Sequence, residues 1–467
     1  MRFFIDYLFC LWENASMTVQ KENKMGVMPI KKLIVSMSVP MMISMLVQAL
    51  YNVVDSIFVA QIHENALTAV TLAFPMQSLM IAFGSGVGVG INALLSRSLG
   101  QKNFKHVNDS ANNGIFLTLL NYLLFFLIGI FFVDFFIKSQ TSVEDIIEYG
   151  STYLHIITGF SIGLFTQMTM ERLLQSTGLT IYSMITQATG AIFNIIMDPI
   201  LIFGLFGFPR LGVAGAAYAT VMGQCIAGCI GIFFNLKFNR EILFSLHDIF
   251  HPKVEMMKQI YKVAVPSILM MSIGSIMTYS MNRILILFST TATAVFGVYF
   301  KLQSFFFMPV FGLNNGLIPV LAYNYGARKK ERINEALKFA LLLAIVIMTC
   351  GTIIMNLIPE VLLGFFNASS EMLAIGVPAL RIISLHFPIA AICIALGSIF
   401  QAFAKSTYSL IISIARQLVV LLPVAWLLAQ TGNVSNVWWC FLISETISLI
   451  ISSFLFRLLY RTMVEPL

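Results

Sequence analysis

Charge is what this chain has least of. Asp, Glu, Lys and Arg make up 10 % of its 467 residues, where a soluble domain carries about 25 %. A water-facing surface cannot be built from so few ions, so a soluble globular enzyme is excluded. The six cysteines, Cys10, Cys225, Cys229, Cys350, Cys393 and Cys440, show neither a disulfide framework nor a zinc spacing. The six histidines are scattered, which removes a clustered His or Cys catalytic centre. No G-x-x-x-x-G-K-[ST] occurs. The one glycine-rich stretch, 84–90, lies inside an apolar run and reads as small residues for close helix contact. No route to ATP, no cofactor and no metal site follows.

What is present is apolar. Hydrophobic residues make up 58 % of the chain, and mean hydropathy is +0.88. Runs of about 20 apolar residues, long enough to cross a bilayer as helices, recur along its length. Twelve spans are expected, at 34–60, 66–96, 108–134, 146–169, 182–206 and 212–236, then 262–288, 292–322, 334–358, 371–402, 406–430 and 436–460. The runs are continuous rather than alternating, which argues against a β-barrel. The fold class is an all-α polytopic membrane protein whose partner is the lipid bilayer.

The chain also contains itself twice. At an offset of 226 positions Val39-Pro40 meets Val265-Pro266, Gln77 meets Gln303, and Gly86 and Gly90 meet Gly312 and Gly316. Gly100 meets Gly326, Asn108 meets Asn334, Gly150 meets Gly376, Gln175 meets Gln401, and Tyr182-Ser183 meets Tyr408-Ser409. A repeat of this length is a duplicated domain rather than a solenoid unit. Six spans per half is an even number, so both halves enter the membrane the same way round. Two six-helix lobes related by an axis along the membrane normal are expected, with a cleft for cargo between them.

The net charge of +7 is distributed by side of the membrane rather than in a nucleic-acid patch. Arg97, Lys102 and Lys105, then Lys237, Arg240, Lys253, Lys258 and Lys262, then Arg328 to Lys330, Arg332 and Lys338 all flank even-numbered connections. The odd connections hold Lys138 and Arg210 and little else. By the positive-inside rule both termini are cytoplasmic, and no nucleic-acid partner is implied. The expected divisions are a cytoplasmic tail 1–30, an N-terminal lobe 31–236, a cytoplasmic linker 237–261, a C-terminal lobe 262–460 and a tail 461–467. The first 30 residues carry no cleavable signal, and Met17 and Met25 are alternative starts to Met1. A monomer is expected.

Ionisable side chains at membrane depth are costly and mark function by default. Asp55, Asp198 and Glu445 lie well inside spans, and Glu171 lies near a cytoplasmic end beside Arg172. Arg283, Lys301, Arg381 and Arg416 are the inner bases. At the repeat offset Asp55 faces Met281, Asp198 faces Val424, Arg416 faces Gly190 and Glu445 faces Ala219. The scaffold was duplicated and these charges were not, which points to function rather than packing. Asp55 and Asp198 each lie roughly 23 Å along an outward-running helix at 1.5 Å per residue, so they should reach one level. Tyr51 and Asn194 precede them by one turn and share their faces. Pro199 weakens the helix beside Asp198. Two carboxylates with an amide and a phenol in a dry bundle suit proton or cation coupling. Glu445 is expected to pair with Arg416 or Lys301, and these three, with the repeated Gln77 and Gln303, are candidates for substrate contact or gating.

Four stretches carry a family resemblance. V-P-M-M-I-S-M-L-V-Q-A-L-Y-N-V-V-D-S-I-F-V at 39–59 and N-I-I-M-D-P-I-L-I at 194–202 resemble the first and fifth helices of the multidrug and toxic compound extrusion (MATE) family. P-V-L-A-Y-N-Y-G-A at 319–327 and R-Q-L-V-V-L-L-P at 416–423 resemble its eighth and eleventh. The similarity spans roughly 30–460 and is strongest to the bacterial branch that includes the staphylococcal MepA-type pumps. It implies two six-helix lobes in the bacterial cell membrane, and antiport of amphipathic organic cations against H+ or Na+. It also implies that Asp55, Tyr51, Asn194 and Asp198 form an ion site in the N-terminal lobe. The chain departs from the branch that carries acids on the seventh and tenth helices, because 262–288 has none and 371–402 has only its opening Glu371.

Methionines such as Met41, Met42, Met45, Met76 and Met80 suit a cavity that adapts to many cargo shapes. Two other readings stand beside export. A lipid-linked saccharide flippase would use the inner bases against a pyrophosphate. A polytopic membrane enzyme would need a catalytic cluster.

Overall fold

The computed structural model describes residues 22–62, 64–366 and 368–467; the part of the expected tail at 1–21, with Cys10, lies outside them. Among the described residues every regular element is a helix. Spans 1 to 3 are single long helices, Ile30–Ala60, Glu64–Gly100 and Phe104–Lys138. Span 4 is Glu144–Gly159 followed by Ile162–Ser176, and spans 5 and 6 are Thr180–Phe203 and Val213–Phe238. Spans 7 to 9 are Val254–Leu285, Thr290–Gly326 and Lys330–Leu357. Span 10 is Ser370–Ser384 followed by Phe387–Ala402, span 11 is Ser406–Ala429 and span 12 is built on Trp439–Leu459.

Ten of these helices are long and apolar enough to cross a membrane singly, and the two pieces of span 10 qualify together. Span 4 is the repeat counterpart of span 10 and completes the twelve. The breaks themselves were not expected. Span 10 bends by 46° at Leu385-His386, and span 4 breaks one residue past the matching place, at Phe160-Ser161. Several helices also run past their apolar runs, as span 2 does to Gly100, because polar ends continue the backbone hydrogen bonding where water replaces lipid.

The repeat extends to backbone conformation. Among the described residues, three pairs of positions 226 apart both take positive φ: Lys102 with Arg328, Gly178 with Ala404, and Phe206 with Gly432. One departure is local. Span 11 carries a π-helical stretch, Ala415–Leu421, where span 5 is regular. Such a stretch inserts a residue and re-aims the side chains around it.

The two halves meet at the end that carries the basic loops. A methyl group added to Gly100 would collide with the carbonyl of Tyr323, and one added to Gly326 would collide with that of Arg97. Deeper along the same seam, one on Gly90 would lie 2.7 Å from the Ile260 carbonyl and one on Gly316 2.7 Å from the Ser38 hydroxyl. Only glycine lets the backbones come this close. Spans 2 and 8 thus cross onto spans 7 and 1. Arg172 of span 4 adds a bond across the seam, donating from Nη1 to Asn315 Oδ1 at 3.2 Å.

The segment before span 1 is a short helix, Lys24–Val27, also packed at this end. Asn23 donates to the Thr177 carbonyl at 3.0 Å on the first half. Arg332 and Asn324 of the second half donate to the Met25 carbonyl at 3.0 and 3.2 Å. The linker is pinned to span 3, where Asn108 accepts from the Leu243 amide at 2.8 Å. Its repeat partner Asn334 accepts from Tyr460 at 3.0 Å, holding the C-terminal end of the chain instead.

Candidate ion and cargo site

The first half places its two inner acids side by side. Asp55 stands on span 1, thirteen residues past Met42 at the seam, or about 20 Å farther along the helix. Asp198 stands on span 5 and is fully buried. The two carboxyls lie within hydrogen-bonding reach of each other. Among the described residues, Asp55 Oδ1 and both Asp198 oxygens are buried with no donor, and so is Asn194 Oδ1. Pro199 has no amide to give the Ile195 carbonyl, so the helix beside Asp198 is short of one internal bond.

A residue on span 6 organises the other two groups. Thr220 Oγ1 accepts from Asn194 Nδ2 at 3.2 Å and lies 3.4 Å from the Tyr51 hydroxyl. Spans 5 and 6 reach this contact because Gly190 and Gly223 face each other. A methyl group on either would lie 2.9 or 2.7 Å from the other's carbonyl. A second polar layer lies beyond. Gln77 donates to the Tyr153 hydroxyl at 3.2 Å, and Tyr153 is buried within electrostatic reach of Asp55, Tyr51 and Asp198. Gln187 donates to Gln48 at 3.1 Å.

Two carboxylates in contact, with three of their four oxygens buried and without donors, repel each other. A proton shared between them, or a monovalent cation among the four donorless oxygens, removes the repulsion. The site is rich in acceptors and poor in donors, the chemistry that takes up H+ or a hard cation bound by oxygen.

The second half is built differently. Glu445 is buried and its Oε1 lies 3.4 Å from Arg416 Nη1. Ser444 donates to the Arg416 carbonyl at 2.8 Å, fixing span 12 to the π-helical stretch of span 11. Lys301 is exposed on span 8, and among the described residues it makes no ion pair with Glu445. Gln303 is half-buried on the same helix. Arg381 lies 3.4 Å from Glu360, both half-exposed, and Arg283 is exposed. Glu171 is buried and accepts from Gln167 of its own helix at 2.9 Å. The inner bases therefore do not converge on one lining.

Sequence reasoning reached Asp55, Asp198, Tyr51 and Asn194 but missed Thr220 and Tyr153. Thr220 had a signal. It is repeated as Thr446, one residue after Glu445. Tyr153 had none, since Ala379 takes its place in the other half.

The family model described as MatE matches residues 40–200 and again 266–427, one match to each half. The chain is similar to the Multidrug export protein MepA of Staphylococcus haemolyticus, 27 % identical over 91 % of this chain and 92 % of that one. It is similar in fold to a solved MATE structure in complex with MaL6, with TM-score 0.89, 25 % identity, and 96 % of this chain and all of that one covered. A MOP superfamily transporter from Pyrococcus furiosus, whose binding pocket is described as reversed in polarity, gives TM-score 0.86 and 26 % identity over 96 % of this chain and 99 % of that one.

Proposed function

The chain belongs to the MatE family of transporters, and on that premise we propose that it is a cation-coupled exporter of small amphipathic cations. The observation that carries the proposal is the contact between Asp55 and Asp198, with three of the four carboxyl oxygens buried and without donors. An H+ or Na+ entering the first half neutralises the pair. Loss of that negative charge weakens the hold on a cationic cargo, so ion entry and cargo release favour each other. The exchange is completed when the halves rock and expose the cleft to the other side. The coupled residues are Asp55, Asp198, Asn194 and Tyr51, with Thr220 holding the last two in place.

The basic loops and both termini face the cytoplasm in this reading, in a bacterial cell membrane, with one chain as the working unit. The seam at Gly100 and Gly326 then seals the cytoplasmic end while the acid site lies toward the outside. Export is also the function in the name of the MepA relative. A flippase would need a buried basic lining, whereas Arg416 is neutralised by Glu445, Arg283, Lys301 and Arg381 lie at exposed positions, and the buried Arg172 is engaged by Gln175 and Asn315.

The test is transport of a fluorescent cation such as ethidium in proteoliposomes, under an imposed proton gradient and, separately, a sodium gradient. Wild type should transport under one of them, and Asp55→Asn and Asp198→Asn should each abolish it with the protein still folded. Normal transport by the double variant returns both acids to packing.

A further inference from the structure

At the basic end, the turns that lead from span 2 to span 3 and from span 8 to span 9 line an open cavity of about 350 Å3. Gly100 and Gly326 lie in its lining, so it sits on the axis that relates the halves. Its charged lining is Lys102 from the first half, Arg328 and Lys329 from the second, and Glu22 from the segment before span 1. Three bases against one acid leave it net positive. Lys329 is engaged, with Nζ on the Gly26 carbonyl at 2.9 Å and 3.7 Å from Glu22. Among the described residues, no acceptor meets the side chain of Lys102 or Arg328.

The backbone at those two residues is informative. Both hold φ at +56°, in the left-handed region that favours glycine. The other two repeated left-handed positions carry glycine in one copy, Gly178 against Ala404 and Gly432 against Phe206. Only here do both copies keep a side chain that the turn disfavours, and both are long and basic. A turn with no further task would be relieved by glycine. Strain kept at a charged cavity is a pointer to a ligand.

We propose that this cavity binds a phosphate group, either free or as the headgroup of an anionic lipid. A tetrahedral oxyanion is the charge form that Lys and Arg hold best together. Because Lys102 and Arg328 come from different halves, the bound phosphate ties the halves together at this end. It therefore favours the arrangement seen here over any in which the seam opens. Glu22, the lining's own carboxylate, competes with it. Only this last consequence rests on the alternation proposed above; the binding itself is read without transport.

The test measures thermal unfolding of the full chain in nanodiscs, with chloride keeping ionic strength constant. One arm uses zwitterionic lipid with and without inorganic phosphate. The other uses discs containing phosphatidic acid and no free phosphate. At ten times its dissociation constant, the anion should shift the unfolding equilibrium about tenfold toward the folded state. Lys102→Gly with Arg328→Gly relieves the turns and should abolish the shift while leaving anion-free stability equal or higher. Lys102→Gln with Arg328→Gln keeps the side chains but removes the charge, and should also abolish it. A shift in the first arm that the variants lose identifies free phosphate as the source. A shift in the second arm alone, lost in the variants, identifies the lipid headgroup. No shift in either arm, or an equal shift in both variants, overturns the site.

Discussion

Arg416 Nη1 stands 3.4 Å from Glu445 Oε1, in the places that the first half fills with Gly190 and Ala219. One seam of the duplicated scaffold thus exists in two chemistries. In the first half, spans 5 and 6 close through glycine against glycine. In the second, the π-helical stretch of span 11 presents the Arg416 guanidinium to Glu445 of span 12, and a charge pair takes up the contact.

Removing one member of that pair should cost more than removing both. Breaking a buried ion pair typically costs about 3–5 kcal/mol. Arg416 is a quarter exposed, which places its loss at the low end. Arg416→Gln and Glu445→Gln are each expected to lower stability, and the double variant should recover part of the loss. Thermal unfolding of the four proteins in detergent measures the coupling; strictly additive losses would mean the pair contributes nothing.

Thr220→Val should loosen the ion site without removing a charge. The hydroxyl accepts from Asn194 and meets Tyr51. A hydrogen bond contributes about 0.5–1.5 kcal/mol, so apparent ion affinity should fall roughly two- to twelvefold. Transport at graded proton or sodium gradients reads this as a shift in half-saturation with the maximal rate kept. A loss of rate at unchanged half-saturation would place Thr220 outside ion binding.

The acid pair was legible in the sequence and its organiser was not. Counting helical rise from Pro40 and from Tyr182 puts Asp55 and Asp198 at one level, because both spans start at the same membrane face. Threonine inside an apolar span carries little signal alone, since it packs as readily as it bonds. Comparison with Thr446 would have singled out Thr220. The partner of Glu445 could not be chosen by depth, because Arg416 and Lys301 both qualified. The packing of span 12 on the π-helical stretch decides it. The breaks at Phe160-Ser161 and Leu385-His386 left no trace in hydropathy, which registers composition and not direction.

The glycine seam should be intolerant of a single methyl. Gly100→Ala and Gly326→Ala each drive a Cβ into a main-chain carbonyl. Overpacking of this kind costs about 1–3 kcal/mol. Gly397 lies in a helix with open space around it, so Gly397→Ala should instead gain up to about 1 kcal/mol. Unfolding temperatures of the three variants test the contrast, and equal values would show that the seam yields freely.

Acid should favour the docking of the segment before span 1. Burial raises the Glu241 carboxyl above its ordinary 4.5, and the hydrogen bond from Asn23 at 2.9 Å opposes this. A group that holds its proton more tightly when folded contributes stability below its unfolded value. That contribution is lost as pH rises through the folded one. Glu241→Gln should therefore match wild type in acid and exceed it at neutral pH. Protease protection of the segment across that range is the measurement; a variant weaker than wild type at neutral pH contradicts the sign.

Membrane orientation has a direct test. Lys105 and Arg210 are both exposed, at opposite ends of the helices. In intact cells an impermeant thiol reagent should label Arg210→Cys. It should reach Lys105→Cys only after permeabilisation.

The contact at Gly100 and Gly326 is reciprocal. The carbonyl of residue 97 presses on Gly326, and that of residue 323, its counterpart 226 places on, presses on Gly100. A surface that meets its own copy in this way is isologous, the kind that joins two identical subunits across a twofold axis. A six-span chain bearing this seam would present a surface complementary to that of its own copy. The fused chain then keeps the geometry of a homodimer while freeing each half to diverge. That freedom is what allows an acid pair in one lobe and an ion pair in the other.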